Sequence, residues 1–223
     1  MSRYFLPHHV HFCSRGDAFV FLDLKRDDYT LIDGEAAIAL RSLTSSRTEE
    51  HAALSELIEE GLLTTDARAG RAIVATDIDL AVESMLDPDE TPTAHISLSH
   101  IVHFTAACLI AAARLRWQHI QHIVESVERR KFRHAHLEQD TGARAQELTG
   151  IFQRLRYFFP FDYLCLYDSL ALIEFLARYR IFPTWVFGIR LEPWTAHCWV
   201  QDGRLAFNEG VEEAAGYTPI MAI

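Results

Sequence analysis

Three residues in the C-terminal quarter of this 223-residue chain have the types that acyl transfer needs: Cys165, His197 and Glu209. A thiol attacks a carbonyl as its thiolate, so it needs a base beside it, and the base needs a third group to orient it. In FPFDYLCLYDSLALIEFLARY, Pro160 and Asp162 signal a helix start, and Leu166, Leu170, Ile173 and Leu176 form a buried stripe. Cys165 then falls in the first helical turn, where the positive end of the helix dipole favours the thiolate. His197 lies in AHCWV, a predicted strand, and Glu209 follows twelve residues later in FNEG, on the next predicted strand. Asp202 and Glu192 are alternative orienters of the imidazole. Cys198 puts a second thiol beside His197, and strand alternation predicts that it points to the opposite face. A structural thiol in the helix stripe and a histidine satisfied inside a sheet account for the same residue types without chemistry.

Other constellations carry less. His100 and His103 form one i, i+3 pair and His119 and His122 another, on what reads as one helix. Nineteen residues apart, the pairs are separated by about 28 Å along such a helix and about 100° around it, so four ligands cannot converge on one ion. No Cys-x-x-Cys or His-Glu-x-x-His pattern occurs, and no metal site is expected. The basic run Arg129, Arg130, Lys131 and Arg133 reads as a solvated helix end that suits the macrodipole. No phosphate-cradling glycine motif is present, so no nucleotide cofactor is expected in this chain.

Positioning the three reactive residues is the task of a mixed α+β chain. Residues 8–33 alternate apolar and polar around two turn signals, SRGD and KRDD, which predicts a three-stranded antiparallel sheet. Two short helices follow, EAAIALRSL and TEEHAALSELIEEGLL, the second closed by Gly61, giving a small winged-helix-like module. From Arg68 to Thr93 the periodicity fades and Asp77, Asp79, Asp87, Pro88, Asp89, Glu90 and Pro92 collect, so a linker is placed at 68–93. The domains are therefore 1–67 and 94–223. Residues 95–133 carry helical spacing with no proline or glycine, as one long helix or two abutting ones. The strands TWVFGIRL, AHCWVQ and RLAFNE follow the Cys165 helix.

Composition narrows the class. Apolar residues at 49% and charged residues at 23% are the balance of a folded chain. A net charge of −10 lacks the basic footprint of a nucleic-acid binder. Four scattered cysteines do not form a disulfide framework, and the N-terminus lacks the apolar run of a secretory signal, so a reducing, cytoplasmic setting is expected. The most apolar stretch, Ile101 to Ala113, falls short of the roughly 20 residues that span a bilayer and reads as a buried helix, with no membrane partner.

A thiol on a helix, a histidine on a strand and an acid on the following strand is the order of the papain and transglutaminase arrangement. CLYDSLAL at 165–172, VFGIRL at 186–191, and AHCWV with DGRLAFNE at 196–209 resemble the leader-peptidase part of lasso-peptide biosynthesis B proteins. Such proteins can be fusions, and the resemblance extends over the whole chain, with a PqqD-like precursor-recognition module at the N-terminus. It implies Cys165 as nucleophile, His197 as general base and Glu209 as orienting acid. The family's acid is usually Asp, and Ala is common where Cys198 stands. The resemblance also implies two partners: the leader region of a precursor peptide, and an asparagine-synthetase-like cyclase, the C protein, through which alone ATP would enter. The leader is expected as an added strand, with Tyr29 and Leu31 on the third strand and Leu57 and Ile58 on the packing helix as candidate contacts, and Thr30 as the alternative outward residue.

Overall fold

Two short hairpins start the fold. The computed structural model describes residues 4–44, 52–86, 95–134, 142–159 and 163–223. Strands β1 (Leu6–Pro7), β2 (Val10–Arg15), β3 (Ala18–Asp23) and β4 (Asp28–Ile32) occupy the alternating segment. β2, β3 and β4 form an antiparallel sheet in that order, with Phe12 opposite Phe21 and Phe21 opposite Thr30. The β3–β4 turn is built by Asp23, whose carboxylate accepts the N–H groups of Lys25 and Arg26 at 2.8 and 3.2 Å, an Asx turn. Helices α1 (Gly34–Thr44) and α2 (Ala52–Glu59) pack Leu40, Leu54 and Leu57 against Phe12, Phe19 and Phe21. Each such buried side chain contributes about 1.5–3 kcal/mol. Gly61, at φ +76°, takes the left-handed conformation that lets the chain leave α2. The expected start of this helix, Thr48–His51, lies outside the described residues.

Strand β5 (Gly70–Arg71) pairs antiparallel with β1. The Arg71 guanidinium donates to Nδ1 of His11 at 3.0 Å, which fixes that imidazole as neutral, because arginine has no lone pair to offer. Backbone contacts divide the chain into two units, Met1–Asp77 with Thr218–Met221, and Ile78–Tyr217 with Ala222–Ile223. The division falls within 68–93, of which residues 87–93 lie outside the described set.

The second unit is organised around one helix. After β6 (Glu83–Ser84) come α3 (Leu98–Trp117), α4 (Ile120–His134), α5 (Gly142–Tyr157), α6 (Cys165–Ala177), β7 (Thr184–Leu191), β8 (Trp194–Asp202), β9 (Leu205–Ala206) and α7 (Val211–Ala215); the last strand, β10 (Thr218–Ala222), falls almost wholly in the first unit. Within this unit the strand order is β7-β8-β9-β6, and seven helices and ten strands make a mixed α+β chain among the described residues. Every α6 residue from Tyr167 to Leu176 is buried. Its charged members are therefore paired: Glu174 receives Arg114 of α3 at 2.5 Å and Arg130 of α4 at 2.8 Å. Asp168 meets Arg156 of α5, itself 2% exposed.

These contacts correct three expectations. The segment takes the second of its two expected forms, with α3 and α4 abutting at residues 118–119, so the two histidine pairs do not share one helix: His119 stands between the helices and His122 lies on α4. His103 Nδ1 instead meets the Tyr179 hydroxyl at 2.9 Å, and among the described residues no group of three ligating side chains forms. The basic run is not simply solvated, because Arg130 reaches buried Glu174 and the Lys131 ammonium donates to Thr184 Oγ1 at 2.9 Å. The apolar stretch is not wholly buried either. Phe104, Ala107, Cys108 and Ala111 pack inward, while Leu98, Ile101, Val102 and Leu109 are exposed. By length and composition alone, α3 is sufficient to cross a membrane.

Candidate active site

The amino end of α6 is held from two sides. Its N-cap, Leu164, is extended and has no side-chain cap. The Asp168 carboxylate, one turn in, accepts the Leu164 N–H at 2.8 Å, while the Asp168 N–H donates to the Leu164 carbonyl at 2.8 Å. The carboxylate thus satisfies the N-cap N–H, while the Asp168 N–H makes the first bond of the helix ladder. Arg156 neutralises the same carboxylate from α5. Cys165 is thereby fixed as the first residue of a well-anchored helix, partly exposed, in the field of the helix dipole. The expected start signals Pro160 and Asp162 lie outside the described residues.

His197 sits on β8 opposite Gly188 of β7. A side chain at Gly188 would meet Tyr217 Cβ at 2.9 Å and the Trp199 ring at 3.0 Å, so glycine is what allows these aromatics to close around the imidazole. The Tyr217 ring centroid is 5.0 Å from that of His197. Nε2 of His197 contacts the Glu209 carboxylate, whose other oxygen accepts the Gly210 N–H at 2.9 Å. The Ser84 hydroxyl further pins the Glu209 carbonyl at 2.7 Å. With Nε2 engaged, Nδ1 is the nitrogen left for Cys165, and a His197–Cys165 hydrogen bond is present.

Glu209 differs from expectation in its setting, because β9 ends at Ala206 and the acid stands in the loop beyond it. That loop gives the longer glutamate side chain room to reach Nε2. Asp202, exposed at the end of β8, and Glu192, exposed at the β7–β8 turn, make no recorded contact with His197.

Cys198 lies on the other face of β8 from Trp199, toward α6, as strand alternation predicts. Its buried thiol hydrogen-bonds to Cys165, so both neighbours on β8 reach the nucleophile. Ser169 lies one turn after Cys165 on the same face of α6, and its hydroxyl donates to the Cys198 carbonyl at 3.1 Å. Asn208 Nδ2 donates to Ser169 Oγ at 3.0 Å, and Asn208 Oδ1 accepts the Val200 N–H at 2.8 Å. One buried serine thus ties together the helix bearing Cys165, the strand bearing His197 and the loop bearing Glu209. Ser169 was available in the sequence as the residue four after Cys165; Asn208 had no comparable signal.

The profile of the transglutaminase-like superfamily matches residues 105–222, more than half of the chain, a span containing Cys165, His197 and Glu209. The chain belongs to the transglutaminase-like superfamily. No curated protein and no solved structure matches it. This transglutaminase-like superfamily includes cysteine peptidases and acyl transferases, which share thioester chemistry.

The electrostatics of the transglutaminase-like site suit that chemistry. Hydrogen bonds from Cys198 and then His197 outweigh burial and lower the Cys165 pKa to about 4. Burial works against a charged His197, but its hydrogen bonds to Cys165 and Glu209 prevail and raise its pKa to about 9. Burial likewise opposes the Glu209 carboxylate, and the His197 and Gly210 hydrogen bonds keep its pKa low. Between these limits the pair stands as thiolate and imidazolium, ready to attack a carbonyl and then protonate the leaving group.

The candidate peptide contacts are in the first unit. β4 is an end strand of its sheet. Leu31 is 52% exposed, and Tyr29 shares its face. Thr30 lies on the face of Phe21 and Phe12, so it is not the outward residue. Leu57 is 2% exposed within the core and offers no surface, whereas Ile58 is half-buried at the core's margin.

Proposed function

We propose that this transglutaminase-like protein is the leader peptidase of lasso-peptide maturation. The single observation that carries the chemistry is the continuous contact Cys165–His197–Glu209 at the anchored start of α6. The motifs around those residues, CLYDSLAL, VFGIRL, AHCWV and DGRLAFNE, carry the substrate class by resemblance.

In this reading the Cys165 thiolate attacks the carbonyl carbon of the leader–core bond, and the oxyanion takes a hydrogen bond from the Cys165 backbone N–H. The His197 imidazolium gives its proton to the leaving amine of the core, which departs, and the leader stays as a thioester on Cys165. His197, held by Glu209, then takes a proton from water, whose oxygen attacks the thioester and frees the leader acid. Residues 94–223 form the peptidase domain, 68–93 the linker and 1–67 a PqqD-like recognition domain. The leader adds as a strand to β4, with Leu31 and Tyr29 on its face. An ATP-using asparagine-synthetase-like cyclase closes the freed core.

Superfamily membership favours one second reading, in which an amine resolves the thioester and the product is a new amide. A leader-binding adaptor without turnover is a further reading, and the contact of Glu209 with His197 favours the enzyme over it.

Mass spectrometry of a precursor incubated with wild-type protein, Cys165→Ala and the cyclase separates these readings. Cleavage at one bond, absent in Cys165→Ala while leader binding persists, is the expected result. A leader joined to an added amine indicates transfer, and an intact but bound precursor overturns the peptidase reading.

A further inference from the structure

The thiol of Cys198 forms no bond to substrate in the acyl-transfer steps, where it only helps hold the Cys165 thiolate. Cys165 and Ser169 share one face of α6, and that face is bolted to β8 at Cys198. Ser169 Oγ donates to the Cys198 carbonyl at 3.1 Å and lies 3.9 Å from the Cys198 Sγ. The Cys198 thiol itself hydrogen-bonds to Cys165. Exposure is graded across this pair: Cys165 is partly open, whereas Cys198 is 3% exposed. An oxidant therefore meets Cys165 first and finds a second sulfur already behind it.

We propose that Cys165 and Cys198 form a reversible oxidation site for hydroperoxides, in which Cys198 captures oxidised Cys165 as an intramolecular disulfide. The Cys165 thiolate attacks the distal oxygen of the hydroperoxide; the O–O bond breaks, and the alkoxide or hydroxide leaves and takes a proton from solvent. Cys165 is now a sulfenic acid, oxidised by two electrons. Cys198 sulfur then attacks the Cys165 sulfur, the S–O bond breaks, and the hydroxyl leaves as water with the Cys198 proton. A dithiol reductant reverses the bond by thiol–disulfide exchange and is itself oxidised.

Electrostatics times the second step. While Cys165 is a thiolate, burial and then the hydrogen bond and charge of Cys165 hold Cys198 protonated. Conversion of Cys165 to a neutral sulfenic acid removes that charge, one of the influences that hold Cys198 protonated. The other two cysteines are buried, with burial raising the Cys13 thiol to about 12 and the Cys108 thiol to about 11, so neither competes for oxidant. Cys198 guards against the sulfinic acid, which a dithiol does not reduce.

This inference rests on the seating of Cys198 against the face of α6 that carries Cys165 and Ser169, and is independent of the identity of the acyl substrate. The test uses wild-type protein, Cys198→Ala and Cys198→Ser with hydrogen peroxide and no peptide, followed by alkylation and peptide mapping. Wild-type protein is expected to yield a Cys165–Cys198 cross-linked peptide and to recover its alkylatable Cys165 fully with dithiothreitol. Both variants are expected to accumulate Cys165 sulfinic acid and to lose that recovery. Wild-type protein carrying sulfinic Cys165 with Cys198 still reduced overturns the proposal, as does a disulfide from Cys165 to a second chain. The wild-type arm decides even if a variant fails to fold, and failure to cleave a precursor leaves the mass result unaffected.

Discussion

Cys165 and His197 set opposite limits on pH. The nucleophile must be a thiolate, so activity is lost as pH falls through about 4; the acid must be an imidazolium, so activity is lost as pH rises through about 9. The account predicts a broad bell in kcat/KM between those limbs. Glu209→Gln removes a charge that helps hold His197 protonated, so the alkaline limb moves down toward the ordinary imidazole range. The rate should fall by about 10²–10⁴-fold, as expected when the orienting acid of a triad is lost. Measured pH profiles of both proteins check the two statements together. An unchanged alkaline limb would detach Glu209 from His197. Cys165 and His197 were legible as types in the sequence, but the sulfur partner was not. Alternation assigns Cys198 to the far face, and it does point away from Trp199 toward α6. Alternation along one strand carries no information about where a helix end will sit, and both faces of β8 reach that end.

At the scale of the element, α6 explains how a thiol is held in register with a strand and a loop. Ser169→Ala leaves Asn208 Nδ2 and the Cys198 carbonyl without their buried partner, at a cost of about 1–3 kcal/mol. Urea denaturation should report that loss. A second prediction concerns Arg156, buried against Asp168. Arg156→Met strands a buried carboxylate and should cost about 3–5 kcal/mol, whereas the double change with Asp168→Leu should recover much of it. Equal losses in single and double variants would show that the Leu164 cap, not the ion pair, dominates. The period-2 segments of the first sheet and the apolar α6 were readable because patterning alone sets them. The α3–α4 break was legible only as one of two alternatives, since Gln118 is no helix breaker. Arg114 and Arg130 both converge on Glu174, and an unbroken helix would carry Arg130 about 24 Å along the axis from Arg114. The expected strand at Glu209 failed for a related reason: the contact with Nε2 needs a loop.

At the scale of the molecule, two units divide the proposed work, and they are separable by mutation. Leu31→Asp places a charge on the exposed face of end strand β4 and should weaken leader binding at least tenfold, about 1.4 kcal/mol or more. Alkylation of Cys165 in the second unit should be unaltered, and titration calorimetry beside a labelling rate checks both halves. All of this depends on Cys165 being a thiolate in the resting protein. The most direct measurement is the rate of Cys165 alkylation by iodoacetamide against pH, followed by mass spectrometry without any substrate. The account predicts a rate already high near neutrality that falls by half only near about 4. A rate that rises from nearly nothing to its half-point near pH 9, as for an ordinary thiol, would contradict it.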